Sequence, residues 1–168
     1  MELLDRTVAP ALVVSDAVCN DACTPDLGLF ALARSDVRNL CSGVQNLAAL
    51  QLLPEARGAT FAPFWARREE LRARYRELVE AIDAADRLML PTVELATDVV
   101  FGAVESVITW FDRRGPVTPA AASEAVALAM VRGVVSRPAS LRSLCAHADR
   151  VDSSVTSAAR SLVERSDS

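Results

Sequence analysis

The stretch CNDACTPD, residues 19–26, sets Cys19 and Cys23 four positions apart, just ahead of a Thr-Pro-Asp helix start. On a helix that spacing puts both thiols on one face, where they could supply half of a metal site. The other soft donors are Cys41, Cys145 and His147. A structural zinc site takes about four ligands, and the common knuckle has two residues between its cysteines rather than three. Only the tertiary fold could assemble this set, and the sequence does not say whether the five residues meet. A disulfide is a poorer reading: a helical pair at this spacing is awkwardly oriented for the bond, and the start of the chain does not read as a secretory signal. The simplest assignment makes the cysteines small buried hydrophobes, since Cys41 falls on an apolar stripe with Leu40 and Val44 and Cys145 follows Leu144.

Catalytic arrangements find little to build on. His147 is the single histidine, so paired-histidine chemistry and His-rich metal sites are excluded. Cys145 and His147, two residues apart on a helix, point to different sides, and no third group is placed to orient the imidazole. Glu77 and Glu80 could serve as acid and base, but glutamates along a solvated helix face are the ordinary case. Phosphate-loop, dinucleotide-binding, nucleophile-elbow and zinc-protease patterns are absent. All 18 basic residues are arginine, which rules out Schiff-base chemistry on a lysine. A GC-rich genome explains that bias; selection against ubiquitin attachment inside a cell is the sharper alternative. These observations predict a protein that is not an enzyme, with no metal and no cofactor.

One charge pattern suggests a binding surface. In RREELRARYRELVEAIDAAD the arginines come early and most acids late, the reverse of what the helix dipole favours. Pairs such as Glu70 with Arg74 and Asp83 with Arg87 would offset part of that cost. Arg68, Arg72 and Arg76 form a stripe that reads either as a solvated face or as a docking surface for an acidic partner or a phosphate.

The elements that must position these groups are helices. Thr24-Pro25, Thr118-Pro119 and Pro63 are start signals, with proline at the first helical turn. If residues 11–23 form one helix, the next elements run from Asp36 to about Leu53, from Pro63 to Leu90, from Thr92 to Gly115, from Thr118 to about Val135, and from Pro138 to about Arg165. Leu71, Tyr75, Leu78, Ile82, Ala85 and Met89 make a heptad seam, as do Leu141, Leu144, Ala148, Val151, Val155, Ala158 and Leu162. Within TVELATDVVFGAVESVITWFDRRG the polar residues Glu94, Asp98, Glu105, Thr109 and Asp112 fall on one narrow stripe, which predicts a central helix over about 92–114. Arg113 and Arg114 should close its last turn before Gly115-Pro116. No alternating strand pattern or hairpin turn competes with these helices.

The composition fits one domain over residues 1–168, with a core and only the last few residues frayed. The formal charge of −4, with arginines spread along the chain, makes nucleic acid an unlikely partner. No window is apolar enough to span a membrane, which predicts a cytoplasmic protein.

The expected fold is an all-α, single-domain bundle of five to seven helices around the apolar helix at 92–114. In layout alone it resembles the Bcl-2-like interaction bundles, without their Asn-Trp-Gly-Arg motif. The predicted function is a non-catalytic protein-protein interaction module: a regulator, adaptor or assembly component, viral or accessory, with a protein partner or a homo-oligomer formed through the heptad faces. The alternative is a small metal- or phosphate-ligand-binding helical protein.

Overall fold

A computed structural model describes residues 2–20, 24–42 and 58–166. The described residues form an all-α bundle of six helices: α1 (Glu2–Asn20), α2 (Pro25–Ser42), α3 (Ala62–Ala84), α4 (Val93–Trp110), α5 (Pro119–Val134) and α6 (Leu141–Ser166). A short 3-10 turn, Ala59–Phe61, leads into α3. Among these residues the only β-type pairing is an isolated bridge between Leu88 and Val135.

The threonine start signals operate as side-chain caps. Thr92 Oγ1 accepts from Leu95 N at 3.2 Å and Thr118 Oγ1 from Ala121 N at 3.1 Å, each satisfying one of the unpaired amides of a first turn. Other boundaries refine the expectation. α2 begins at Pro25, as the Thr24-Pro25 signal predicts, and runs on through the apolar pattern from Asp36, which makes Asp36 an interior residue. α3 ends at Ala84, six residues short of Leu90, because Asp86 takes a left-handed φ of 54° and turns the chain away. α4 likewise stops at Trp110, so Arg113 and Arg114 lie in the turn beyond it.

α2 is the helix in the middle, packed against each of the other five. Leu29, Phe30, Leu32, Ala33 and Val37 on it are shut off from solvent; an aromatic or aliphatic side chain buried this way contributes about 1.5–3 kcal/mol by leaving water. The segment expected at the centre, α4, buries only one side, through Ala96, Thr97, Val100, Val104 and Val107. Its other side leaves Leu95, Val99 and Trp110 about half exposed, at 46%, 46% and 50%.

Much of the described part of the two heptad seams packs inside the bundle. Leu71, Tyr75 and Ile82 of α3 are core residues, Leu78 is half-buried, and Ala85 and Met89 lie past the helix end. On α6, Leu144, Ala148 and Val151 are buried; the side chains of Ala158 and Leu162 lie outside the described residues. Leu71, Tyr75, Ile82, Leu144, Ala148 and Val151 of these seams thus build this chain's own core, while Leu141 stays exposed.

A polar knot closes the end of the bundle where α2 starts. Asp26, in the first turn of α2 and 1% exposed, accepts from Arg87 Nη1 and Nη2 at 3.2 and 3.1 Å and from the Ala139 amide at 2.7 Å. Arg87 also donates to the Arg137 carbonyl at 3.0 Å, where the chain again adopts a left-handed φ, of 59°. One carboxylate thus ties the α2 start, the α3–α4 connection and the α5–α6 loop together. Burial alone would raise the Asp26 carboxyl, but these hydrogen bonds outweigh it and hold the group below its ordinary value.

Candidate functional site

Four helices enclose a small cavity. α1 contributes Val8, α2 Asp36 and Leu40, α3 Arg68 and Leu71, and α4 Phe101, Val104 and Glu105. Its volume of about 20 Å³ is room for a water-sized group. The walls are apolar except for two carboxyl groups and one guanidinium.

Asp36 reaches the cavity because Asp36 and Val37 both fall on the buried side of α2. Its Oδ2 accepts a 3.1 Å hydrogen bond from Tyr75 Oη, and both residues are sealed from solvent. Burial drives the Asp36 carboxyl up to about 7, against the downward pull of the Tyr75 hydrogen bond and of Arg68's charge. Burial, reinforced by the Asp36 charge and hydrogen bond, raises the Tyr75 phenol. Arg68 pairs with Glu105, and its guanidinium carbon lies 5.4 Å from the centre of the Trp65 ring and 5.2 Å from that of Phe101, within the range where a cation is attracted to an aromatic face. Tyr75 and Phe101 meet edge to face with centroids 5.7 Å apart. The site can hold a charged or strongly hydrogen-bonding group. Nothing in it resembles a nucleophile with its base.

The arginine stripe read from the sequence faces α4. Arg68 pairs with Glu105, Arg72 with Asp98 and Glu69, and Arg76 with Glu94 and Glu80. The chain order of the arginines runs opposite to that of Glu94, Asp98 and Glu105, as antiparallel helices require. The acids expected to line one edge of a central helix are thus partners for α3. The anticipated local pairs are replaced by longer-range ones: Arg74 reaches Asp16 of α1 at 3.1 Å as well as Glu77 at 3.3 Å, and Arg87 has left the helix for Asp26.

Cys41 is buried and its thiol is pushed up to about 11 by desolvation. Cys145 is half-buried and also raised, first by burial and then by nearby Glu124. His147 is buried in α6, with Nδ1 3.4 Å from Arg150 Nη2. Cys23 and the side chain of Cys19 lie outside the described residues. Among the described residues no group of three or more His, Cys, Asp and Glu side chains is arranged to hold a metal ion.

On the side of α4 away from the cavity, Leu95, Val99, Gly102, Ser106 and Trp110 are exposed at steps of three and four. Beside them α5 exposes Ala121, Ala125, Ala129 and Gly133, one per turn. Both stripes are built from small or mostly apolar residues, with exposed Arg132 on the α5 side. The expectation of a central helix, polar only along one narrow stripe, leaves no room for this face. The placement of every polar partner of α3 on one stripe was the signal that another side would be left bare.

Residues 40–134 match the model of the tetracyclin repressor-like C-terminal domain, and the chain belongs to that family. Among solved structures it is similar to the crystal structure of AmtR from Mycobacterium smegmatis, at 34% identity and a TM-score of 0.73, over 88% of this chain and 68% of that one. No curated protein matches.

The family overturns two expectations. Its members are transcriptional regulators, so the chain does not stand as a protein-protein interaction module, and the likeness to Bcl-2 bundles in layout carries no kinship. Regulators of this family bind DNA and often act as dimers, against the expectation that nucleic acid was an unlikely partner. The net charge misled because the matched model is that of a C-terminal domain: an acidic balance there describes a surface that does not itself have to meet phosphate. These regulators are typically non-enzymatic. Among the described residues no helix is long and apolar enough to cross a membrane.

Proposed function

We propose that this chain is the sensing and pairing part of a non-enzymatic transcriptional regulator: two copies join through the exposed α4–α5 face, and a small molecule in the α1–α4 cavity alters how the pair acts on DNA. The observation that carries this reading is that one helix serves both features. Phe101, Val104 and Glu105 of α4 line the cavity, while Leu95, Val99 and Trp110 on its opposite side belong to the bare face. A ligand that shifts α4 by a fraction of its packing distance necessarily moves the pairing face, because close-packed helices transmit displacement. The family match supports the link to DNA, and the exposed alanine and glycine stripe on α5 supports close approach of a second copy.

Chromatin immunoprecipitation of the protein from its own cells, combined with transcript profiling of a deletion strain, tests the regulatory reading. Discrete promoter sites with altered expression of the adjoining genes are expected. No enriched site together with an unchanged transcript profile would overturn it.

A further inference from the structure

We infer that the cavity takes a small monocationic amine, its ammonium group set between the carboxyl groups of Asp36 and Glu105. The inference deepens the sensing reading and rests on it.

The charge inventory carries the argument. Asp36 and Glu105 bring two carboxyl groups to the cavity and Arg68 brings one guanidinium, which is already paired with Glu105. Asp36 is sealed from solvent at 3% exposure and accepts from a phenol, Tyr75, rather than from a cation. The site is therefore one positive charge short when both acids are ionised, inside walls of valine, leucine and phenylalanine that offer no other compensation. A buried carboxylate in that position is costly unless paired, and burial raises it to about 7 even against the pull of Arg68.

The alternatives fit less well. An anionic ligand would have to compete with Glu105 for Arg68 while adding a third negative charge. A neutral apolar ligand finds about 20 Å³ of space and would strand Asp36 further from any donor. An ammonium group is close to water in size, donates three hydrogen bonds and is attracted to an aromatic face. Glu105, at 31% exposure, marks the mouth through which an alkyl tail would leave.

The groups facing Asp36 are Tyr75 and Arg68 from α3, with Glu105 across the cavity on α4. A bound ammonium favours the ionised carboxylate over the protonated one, so binding should tighten as pH rises from about 6 to 8 and should release a proton near pH 7.

The experiment compares propylammonium, propionate and propionamide, matched in size, by calorimetric titration of the whole chain. Propylammonium is expected to bind at least tenfold more tightly than the other two, with proton release seen as a dependence on buffer ionisation heat. Asp36→Asn should weaken it at least tenfold, and Glu105→Gln should weaken it separately, which guards against a single variant that fails to fold. Equal binding by folded Asp36→Asn, or a preference for propionate or propionamide, would overturn the amine assignment and leave sensing intact. If none of the three binds but a member of a broad small-molecule panel does, the amine class is wrong and the sensing reading stands. If nothing in the panel binds, both fall.

Discussion

Tyr75 Oη donates to Asp36 Oδ2 at 3.1 Å, joining α3 to α2 through two side chains that solvent does not reach. The bond lies in the core, beside a cavity to which α1, α2, α3 and α4 all contribute. Its acceptor is a titratable group whose surroundings penalise its charge.

Stability should therefore fall with rising pH across the neutral range. The Asp36 carboxyl moves from an ordinary 3.8 to about 7 on folding, so between these values the folded chain holds a proton that the unfolded chain has lost. The resulting stabilisation is whole below the lower value and is lost as pH rises through the upper one, a change on the order of 4 kcal/mol at most. Asp36→Asn removes this titration and should flatten the melting temperature between about pH 5 and 8. A wild-type profile already as flat as the variant's would refute the assignment.

Removing the partner of Asp26 should be far more damaging than its surface position suggests. Arg87→Met leaves a carboxylate of 1% exposure with only the Ala139 amide and local contacts, and breaking a buried pair on one side costs about 3–5 kcal/mol. Arg87→Lys should recover part of this, because an ammonium cannot reproduce the two parallel bonds. Urea denaturation measures both; a loss below about 1 kcal/mol for Arg87→Met would show that the knot does not hold the bundle end.

Gly102→Leu should separate pairing from folding. A side chain there meets open space within the chain, and replacing a helical glycine by leucine favours the helix by up to about 0.8 kcal/mol. The variant should melt no lower than the parent when dilute, yet sediment as a monomer at concentrations where the parent is a dimer. Unchanged self-association would place the pairing face elsewhere.

Thiol labelling should discriminate the two described cysteines. Cys41, buried and with its thiol raised to about 11, should react only when denaturant opens the core, while half-buried Cys145 should react first. Rapid native labelling at Cys41 would mean that α2 opens locally on the timescale of the reagent.

Helix spacing was legible in the sequence, and depth was not. Period alone located α3 to α6 within a few residues, and the Thr118-Pro119 start is a working cap, because both signals are local to a single element. Asp36 stands at the head of an apolar stripe, and the stripe alone does not say whether it faces water. Its burial depends on Tyr75, 39 positions away, and nothing near Asp36 in the chain announces that partner. The arginine stripe was seen but its partners were not, although Arg68, Arg72 and Arg76 and the acids of α4 share a helical period. Which helix is central was misread because apolar content was equated with enclosure, whereas α4 keeps part of its apolar surface for the outside.

The chain's two tryptophans stand at the two surfaces proposed to act: Trp65 against Arg68, whose side chain lines the cavity, and Trp110 on the exposed side of α4. The protein consequently carries two built-in optical reporters. Disturbance of the Arg68 guanidinium changes the quenching of one indole, and withdrawal of the other from water shifts its emission to shorter wavelength. With Trp110 exchanged for phenylalanine, the remaining light reports on the cavity alone, so ligand entry and subunit pairing can be timed separately in a single unlabelled solution.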